Sequence, residues 1–201
     1  MAERDDMPGW TRPGHYGATE SGVILTEATI VAAWNVQGLP THASFADAVP
    51  RLFGVALPLA PNTIATSDAL SAVWLGPRSW LLVAGSDSPL VDYAGKRDAM
   101  NEVGGALFDV SASRLAWKLS GPRAVNVLAN GCPLDFHPSA FATGSCAQSL
   151  LGHVGALFVR HDDTPTFTVL VARSFAGDAW HALLTSAAQH GAEIRSPSPY
   201  R

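Results

Sequence analysis

The chain has 201 residues, 47% hydrophobic and 15% charged, and its 13 Lys and Arg against 17 Asp and Glu leave a net charge of −4. A soluble chain carries about 25% charged residues, so this one is short of charge; it is too apolar to be disordered and lacks the basic excess that draws proteins to nucleic acid. It has no apolar run of about 18 residues that would span a membrane, its two cysteines do not make a disulfide scaffold, and the thin charge predicts an exposed apolar patch buried against another chain.

Residues 1–22 begin MAERDDMPGW, with charges and proline where a signal peptide needs an apolar core. They predict a flexible N-terminal tail, in which Trp10 and Tyr16 could dock, and a cytoplasmic chain. Ile24, Ala28, Ile30, Ala32, Trp34 and Val36 share one parity and predict one long half-buried strand. Phe45, Val49, Leu52 and Phe53 space as a helix ending at Gly54, with Pro50 a potential break. Residues 69–75 and 80–84 predict a hairpin around Gly76-Pro77-Arg78. Ser88 and Pro89 open a helix with Leu90, Val91, Ala94 and Val103 on its apolar face and Gly95 as a weak point.

Strands follow over 106–110 and 114–119, the second alternating Leu115, Trp117 and Leu119 against Arg114, Ala116 and Lys118. Gly121-Pro122 begins a short helix through Val125 and Leu128, closed by Asn130-Gly131. A long strand is predicted over 149–160, a turn over 162–165 and a strand over 166–172. Ser174 caps a helix with Ala176, Trp180, Leu183, Leu184 and Ala187 on its inner face, and residues 193–201 read as a C-terminal tail. The ordered domain is thus 23–192. Its halves, 24–103 and 105–190, each read strand, helix, hairpin, helix, which predicts an α+β fold of two similar units. Little identity links the halves, and the Gly-Pro-Arg triplets at 76–78 and 121–123 are turn chemistry rather than aligned repeats.

The phosphate-loop and dinucleotide glycine patterns are absent. Cys132, His137, Cys146 and His153 could be offered as metal ligands, but their spacing is looser than the usual CxxC pairs, which favours packing or capping roles. Cys146 near His153 could make a thiol nucleophile, although no third group orients the pair. Asp109 and Ser111 sit where a strand ends and read as turn residues before ligand residues. Arg173 could hold an anion at the start of the last helix, or pair with a partner carboxylate. Trp34, Trp74, Trp80, Trp117 and Trp180 fill core or interface. Trp74, Trp80, Arg173 and Phe175 are the candidate interface or ligand contacts, and no catalytic, cofactor-binding or metal residue is assigned.

Two stretches, WLGPRSWLLVAG at 74–85 and 109–151 with its GCPLDFHP and GSCAQSLL, together with VARSFAGDAWHALL at 171–184, resemble the gamma subunit of four-subunit sarcosine oxidase. The resemblance covers most of 24–190. It implies a complex that oxidises sarcosine to glycine, reduces oxygen to hydrogen peroxide, and passes the one-carbon unit to tetrahydrofolate or releases it as formaldehyde. It also implies that FAD, FMN and NAD sit on the alpha and beta subunits and zinc on the delta subunit, with no cofactor in this chain. The implied fold is similar to part of the folate-binding domain of aminomethyltransferases, which the segment 108–131 also resembles. Those enzymes carry a Gly-rich hairpin and an Asp pair after a strand; here the strand region 149–160 has no such insertion, and Asp162-Asp163 falls in a later turn. No catalytic or folate-binding residue is carried over. The expectation is a non-catalytic assembly subunit, with a stand-alone folate-binding module or a metal or thiol protein as alternatives.

Overall fold

The structure is a computed structural model that describes residues 12–67, 70–85, 90–162 and 164–200. Its strands are β1 (Gly14–Tyr16), β2 (Val23–Thr29), β3 (Ala32–Gln37), β4 (Ile64–Thr66), β5 (Leu70–Gly76), β6 (Ser79–Ala84), β7 (Ala106–Asp109), β8 (Arg114–Ser120), β9 (Cys146–Leu151), β10 (Val154–Arg160), β11 (Phe167–Ala172) and β12 (Ala192–Pro199). The helices are α1 (Ala43–Phe53), α2 (Tyr93–Glu102), α3 (Ala124–Ala129) and α4 (Ala176–Ala188), with 3-10 turns at Ser111–Ser113 and Arg173–Phe175.

Two sheets form. One has seven strands in the order β1-β12-β2-β8-β11-β10-β9, the other five in the order β4-β5-β6-β3-β7. All pairings are antiparallel except β12 with β2. Apolar side chains gather in three clusters that define four layers. Phe45, Val49 and Phe53 of α1 and Met100 of α2 pack on Trp34, Val36, Trp80 and Leu82 of the five-stranded sheet. Val127 and Leu128 of α3, with Trp180 and Leu183 of α4, pack on Trp117, Leu119, Phe158 and Val169 of the other. The two remaining faces meet through Ala28, Ala33, Val73, Leu81, Val83, Ala116, Cys146, Leu157, Val159 and Leu170. Central strands are therefore buried on both faces, and β6, β10 and β11 read as near-continuous apolar runs.

This is the expected α+β architecture, and the recurring unit is larger than expected. Strand, helix, three-stranded meander, helix and strand run from β3 to β7 and again from β8 to β12. The boundary at 104 does not divide the sheets: β2, from the first half, lies in the seven-stranded sheet, and β7, from the second, lies in the five-stranded one.

Several local expectations are corrected. The run 24–36 is two strands in different sheets, and in β2 the buried positions are Val23, Leu25 and, as expected, Ala28, while Ile24 is only partly buried. Pro50 does not break α1; it is exposed, and Gly54 closes the helix at φ 71° with its N–H donating to the Pro50 carbonyl. Ser88 and Pro89 lie outside the described residues; α2 is instead capped by Asp92, whose side chain accepts from the Gly95 N–H at 3.2 Å. Leu90 and Val91 precede that helix, Ala94 is exposed, and Met100 is its buried residue. Residues 149–160 belong to two strands joined at Gly152-His153. Ser174 makes no cap, because the 3-10 turn precedes α4 and Phe175 occupies the N-cap without a side-chain bond.

The C-terminal segment is not a tail. β12 lies between β1 and β2, with Ala192, Ile194 and Tyr200 buried. Its prolines are tolerated because β1 pairs only with 192–194, so the rest of β12 is an edge on that side, and its register with β2 shifts between Arg195 and Ser198. The N-terminal segment, as far as it is described, is sewn to the same place: Ala18 N–H donates to the Ala188 carbonyl at 3.0 Å and Gly22 N–H to the His190 carbonyl at 2.9 Å. Gly191, at φ 72°, lies so close to the Glu20 carbonyl that a side chain there would collide with backbone. Ile194→Ala should therefore cost about 2–5 kcal/mol in a denaturant melt. A change below about 0.5 kcal/mol, typical of a surface position, would mean that this strand is not docked.

Candidate functional site

The faces of the two sheets that meet leave a cleft at one end. Alternation places Arg114, Ala116 and Lys118 of β8 on the inner face of the seven-stranded sheet, since Leu115, Trp117 and Leu119 face the helices. Arg114 pairs with Ala172 of β11, and one strand further Gly155 of β10 pairs with Leu150 of β9. A cavity of about 240 Å³ beside Gly155 is lined by Leu75, Arg114, Gln148, Ser149, Gly155, Ala156 and Leu157. A Cβ built on Gly155 would meet nothing within 4 Å. Gln148 Nε2 donates to the Leu75 carbonyl at 2.8 Å and holds the sheets together at the cavity wall. The Nε of half-buried Arg114 is itself buried and has no hydrogen-bond partner.

Two short turns border β8 and β11 at this end. After β7, Asp109 turns back: its Oδ1 accepts from Ser111 N–H at 2.9 Å and from Ser111 Oγ at 2.6 Å, and Ser111 Oγ accepts from Ala33 N–H at 2.9 Å. Asp109 and Ser111 thus form a latch that joins the end of β7 to the start of β3. Arg173, exposed, donates its Nε to the Ala112 carbonyl at 2.7 Å, so the two turns touch. Phe175 is 53% exposed, as are Phe108 of β7 at 48% and Leu150 at 49%. The outer edge of β7 is blunted, since the Tyr93 hydroxyl donates to the Leu107 carbonyl at 2.8 Å and accepts from Asp109 N–H at 3.3 Å.

Of the residues singled out in the sequence, Arg173 and Phe175 lie on this surface. Trp80 is core: it is 1% exposed, packs near Phe45 and donates Nε1 to the Pro58 carbonyl at 2.8 Å. Trp74 is half-buried opposite Trp80 in the β5–β6 pair and touches both the helix-side and the inter-sheet clusters. Trp34, Trp117 and Trp180 are buried, and Trp10 lies outside the described residues. Arg114 was missed because alternation assigned its parity to solvent.

The cysteines and histidines do not converge. Cys132 lies in the helix-side core and Cys146 between the sheets. His153 is exposed in the turn at the far end of β9, about 20 Å along the strand from Cys146. His137 sits in a loop where its Nδ1 accepts from Ser139 N–H at 3.3 Å and lies 2.8 Å from Ser139 Oγ. Among the described residues, no three His, Cys, Asp or Glu come together as a metal site. Cys146 Sγ donates to the carbonyls of Thr63 at 3.3 Å and Trp74 at 3.5 Å. Burial pushes its thiol up to about 11, only partly offset by the Trp74 bond. A second cavity, of about 320 Å³, lies by Gln37, Arg78 and Ala106. Its glycines have a structural reason: side chains at Gly38 or Gly105 would collide with the Phe45 ring.

The raised thiol pKa has a signed consequence. The folded state holds the Cys146 proton more tightly than the unfolded state, so stability falls as pH rises from about 9 towards about 11. Below about pH 9 both buried thiols should resist a thiol reagent in the native protein and react fully in denaturant. Fast native labelling of Cys146 at pH 8 would contradict the burial.

Comparison with known proteins gives this geometry a context. The model of the sarcosine oxidase gamma subunit family matches residues 37–189. The sarcosine oxidase subunit gamma of Corynebacterium sp. strain U-96 is 30% identical over 176 residues, covering 87% of this chain and 84% of that one. The counterpart from Corynebacterium sp. strain P-1 is 29% identical over 178 residues, covering 88% and 86%. A chain in the structure of heterotetrameric sarcosine oxidase from Corynebacterium sp. U-96, in complex with pyrrole 2-carboxylate, superposes with a TM-score of 0.74 at 26% identity, covering 87% of this chain and 88% of that one. Aminomethyltransferase T of the glycine cleavage system from Bartonella henselae shares the fold at a TM-score of 0.61 and 13% identity, and this chain spans 48% of it. Matched over most of its length in sequence and in structure, the chain belongs to the sarcosine oxidase gamma subunit family.

Proposed function

We propose that the chain is a subunit of an oxidoreductase complex of the sarcosine oxidase kind and serves it by shape rather than by chemistry. One observation carries this reading: nearly the whole chain superposes on nearly the whole of a chain from a heterotetrameric sarcosine oxidase. Such a complex takes sarcosine, oxygen and water to glycine, formaldehyde and hydrogen peroxide, or passes the one-carbon unit to tetrahydrofolate. In this reading the flavins, NAD, tetrahydrofolate and zinc belong to the alpha, beta and delta subunits, and the complex works in the cytoplasm. Among the described residues, no helix is long and apolar enough to cross a membrane.

The non-catalytic role is supported by what the reactive side chains do. Asp109 is spent on Ser111, His137 contacts Ser139, and Cys146 is held protonated between the sheets. Both sheets are packed on both faces, so the fold offers a rigid platform rather than an open barrel. The likeness to aminomethyltransferase T is one of fold alone and transfers no folate site.

Co-expression with a large flavoprotein subunit of a sarcosine oxidase from the same organism tests the proposal. The two should leave a sizing column in one peak with flavin absorbance, while the isolated chain is colourless. Two separate peaks would overturn it, and so would calorimetric heat from tetrahydrofolate added to the isolated chain, which would favour a folate-binding module.

A further inference from the structure

Among the described residues, Arg114 carries a charge that nothing in the chain answers. Its Nε is buried without an acceptor, a position that is unfavourable unless something fills it. The ion pairs among the described residues are Arg97 with Asp98 and Arg195 with Glu193, both remote from the cleft in sequence and on other elements. The nearby carboxylate, Asp109, is turned onto Ser111. A second cation, Arg173, borders the same end of the sheets and spends its Nε on a backbone carbonyl. The chain as a whole carries −4, so this positive end runs against its overall sign. Two exposed apolar side chains lie at the same end: Leu150, paired with Gly155 in the sheet, and Phe175, two residues after Arg173.

Resting on the reading of the chain as a complex subunit, we infer that this end of the inter-sheet cleft receives a segment of the partner subunit that presents a carboxylate side chain to Arg114. The guanidinium supplies donors of the geometry a carboxylate accepts. Leu75 and Leu157 form apolar walls, and the space beside Gly155 admits the incoming side chain. A polypeptide fits better than a free small acid. A molecule that fills about 240 Å³ would leave the exposed side chains of Leu150 and Phe175 in water. A chain segment entering the cleft covers them as well, and aromatic and arginine side chains are the usual anchors of such contacts.

The test compares affinities of wild type, Arg114→Glu, Arg114→Lys, Gly155→Trp and the remote control Arg51→Glu, exposed on α1, for the flavoprotein subunit, with the melt of each isolated chain as a folding check. Arg114→Glu and Gly155→Trp should weaken the complex roughly 30-fold or more, as for loss of one member of a buried charge pair. Arg114→Lys should fall between them and wild type, and Arg51→Glu should match wild type. If Arg114→Glu melts normally and binds within about threefold of wild type, the inference fails while the subunit reading stands. If wild type does not bind, the subunit reading fails and takes the inference with it. Benzoate binding to the isolated chain that Arg114→Glu abolishes, with the complex unaffected, would make this a small-acid site and overturn the docking.

Discussion

The contact between the two sheets is the constraint on which the rest depends. Each sheet must present two apolar faces, one to a helix pair and one to the other sheet. The shared layer is made largely of Ala, Val and Leu, which lets the sheets approach at the usual spacing of about 10 Å. A strand in this position has no solvent side on which to place a charge. Much of the shortage of charge in the sequence follows from this: β5, β6, β10 and β11 contribute long stretches with hardly any exposed position.

The exposed apolar surface expected from composition is correspondingly modest. Among the described residues, the exposed large hydrophobics are Val31, Leu59, Val91, Phe108, Leu150 and Phe175, spread over several elements. What distinguishes the mouth of the cleft is the combination of apolar side chains with Arg114 and Arg173. The same packing that excludes water from the sheet interface leaves a narrow opening beside Gly155, and that opening is where charge and apolar surface coincide. A platform subunit needs little more than this: a rigid body, a place to grip, and reactive side chains kept out of use.

The fold class was legible because hairpins, glycine stops and apolar periodicity are local. α1 illustrates it, with Phe45, Val49 and Phe53 on one face and Gly54 at its end. Strands inside the sheets were misread because burial on two faces erases alternation. Leu150, Leu151 and Val154 keep an apolar run going across the turn at Gly152-His153, so two strands read as one. Ser-Pro repeats concealed β12, whose edge position tolerates proline. Arg173 and Phe175 could be found from the sequence because they border a helix. Arg114 could not, because only the second sheet, far away in sequence, makes its face an inner one.

Hydrogen exchange on the isolated chain and on the assembled complex tests the account most directly. Assembly should slow exchange in 112–116, 148–157 and 172–175, the segments that border the cleft, and leave the outer faces of α3 and α1 unchanged. Slowing confined to the helix faces, with the cleft segments exchanging as in the free chain, would contradict it.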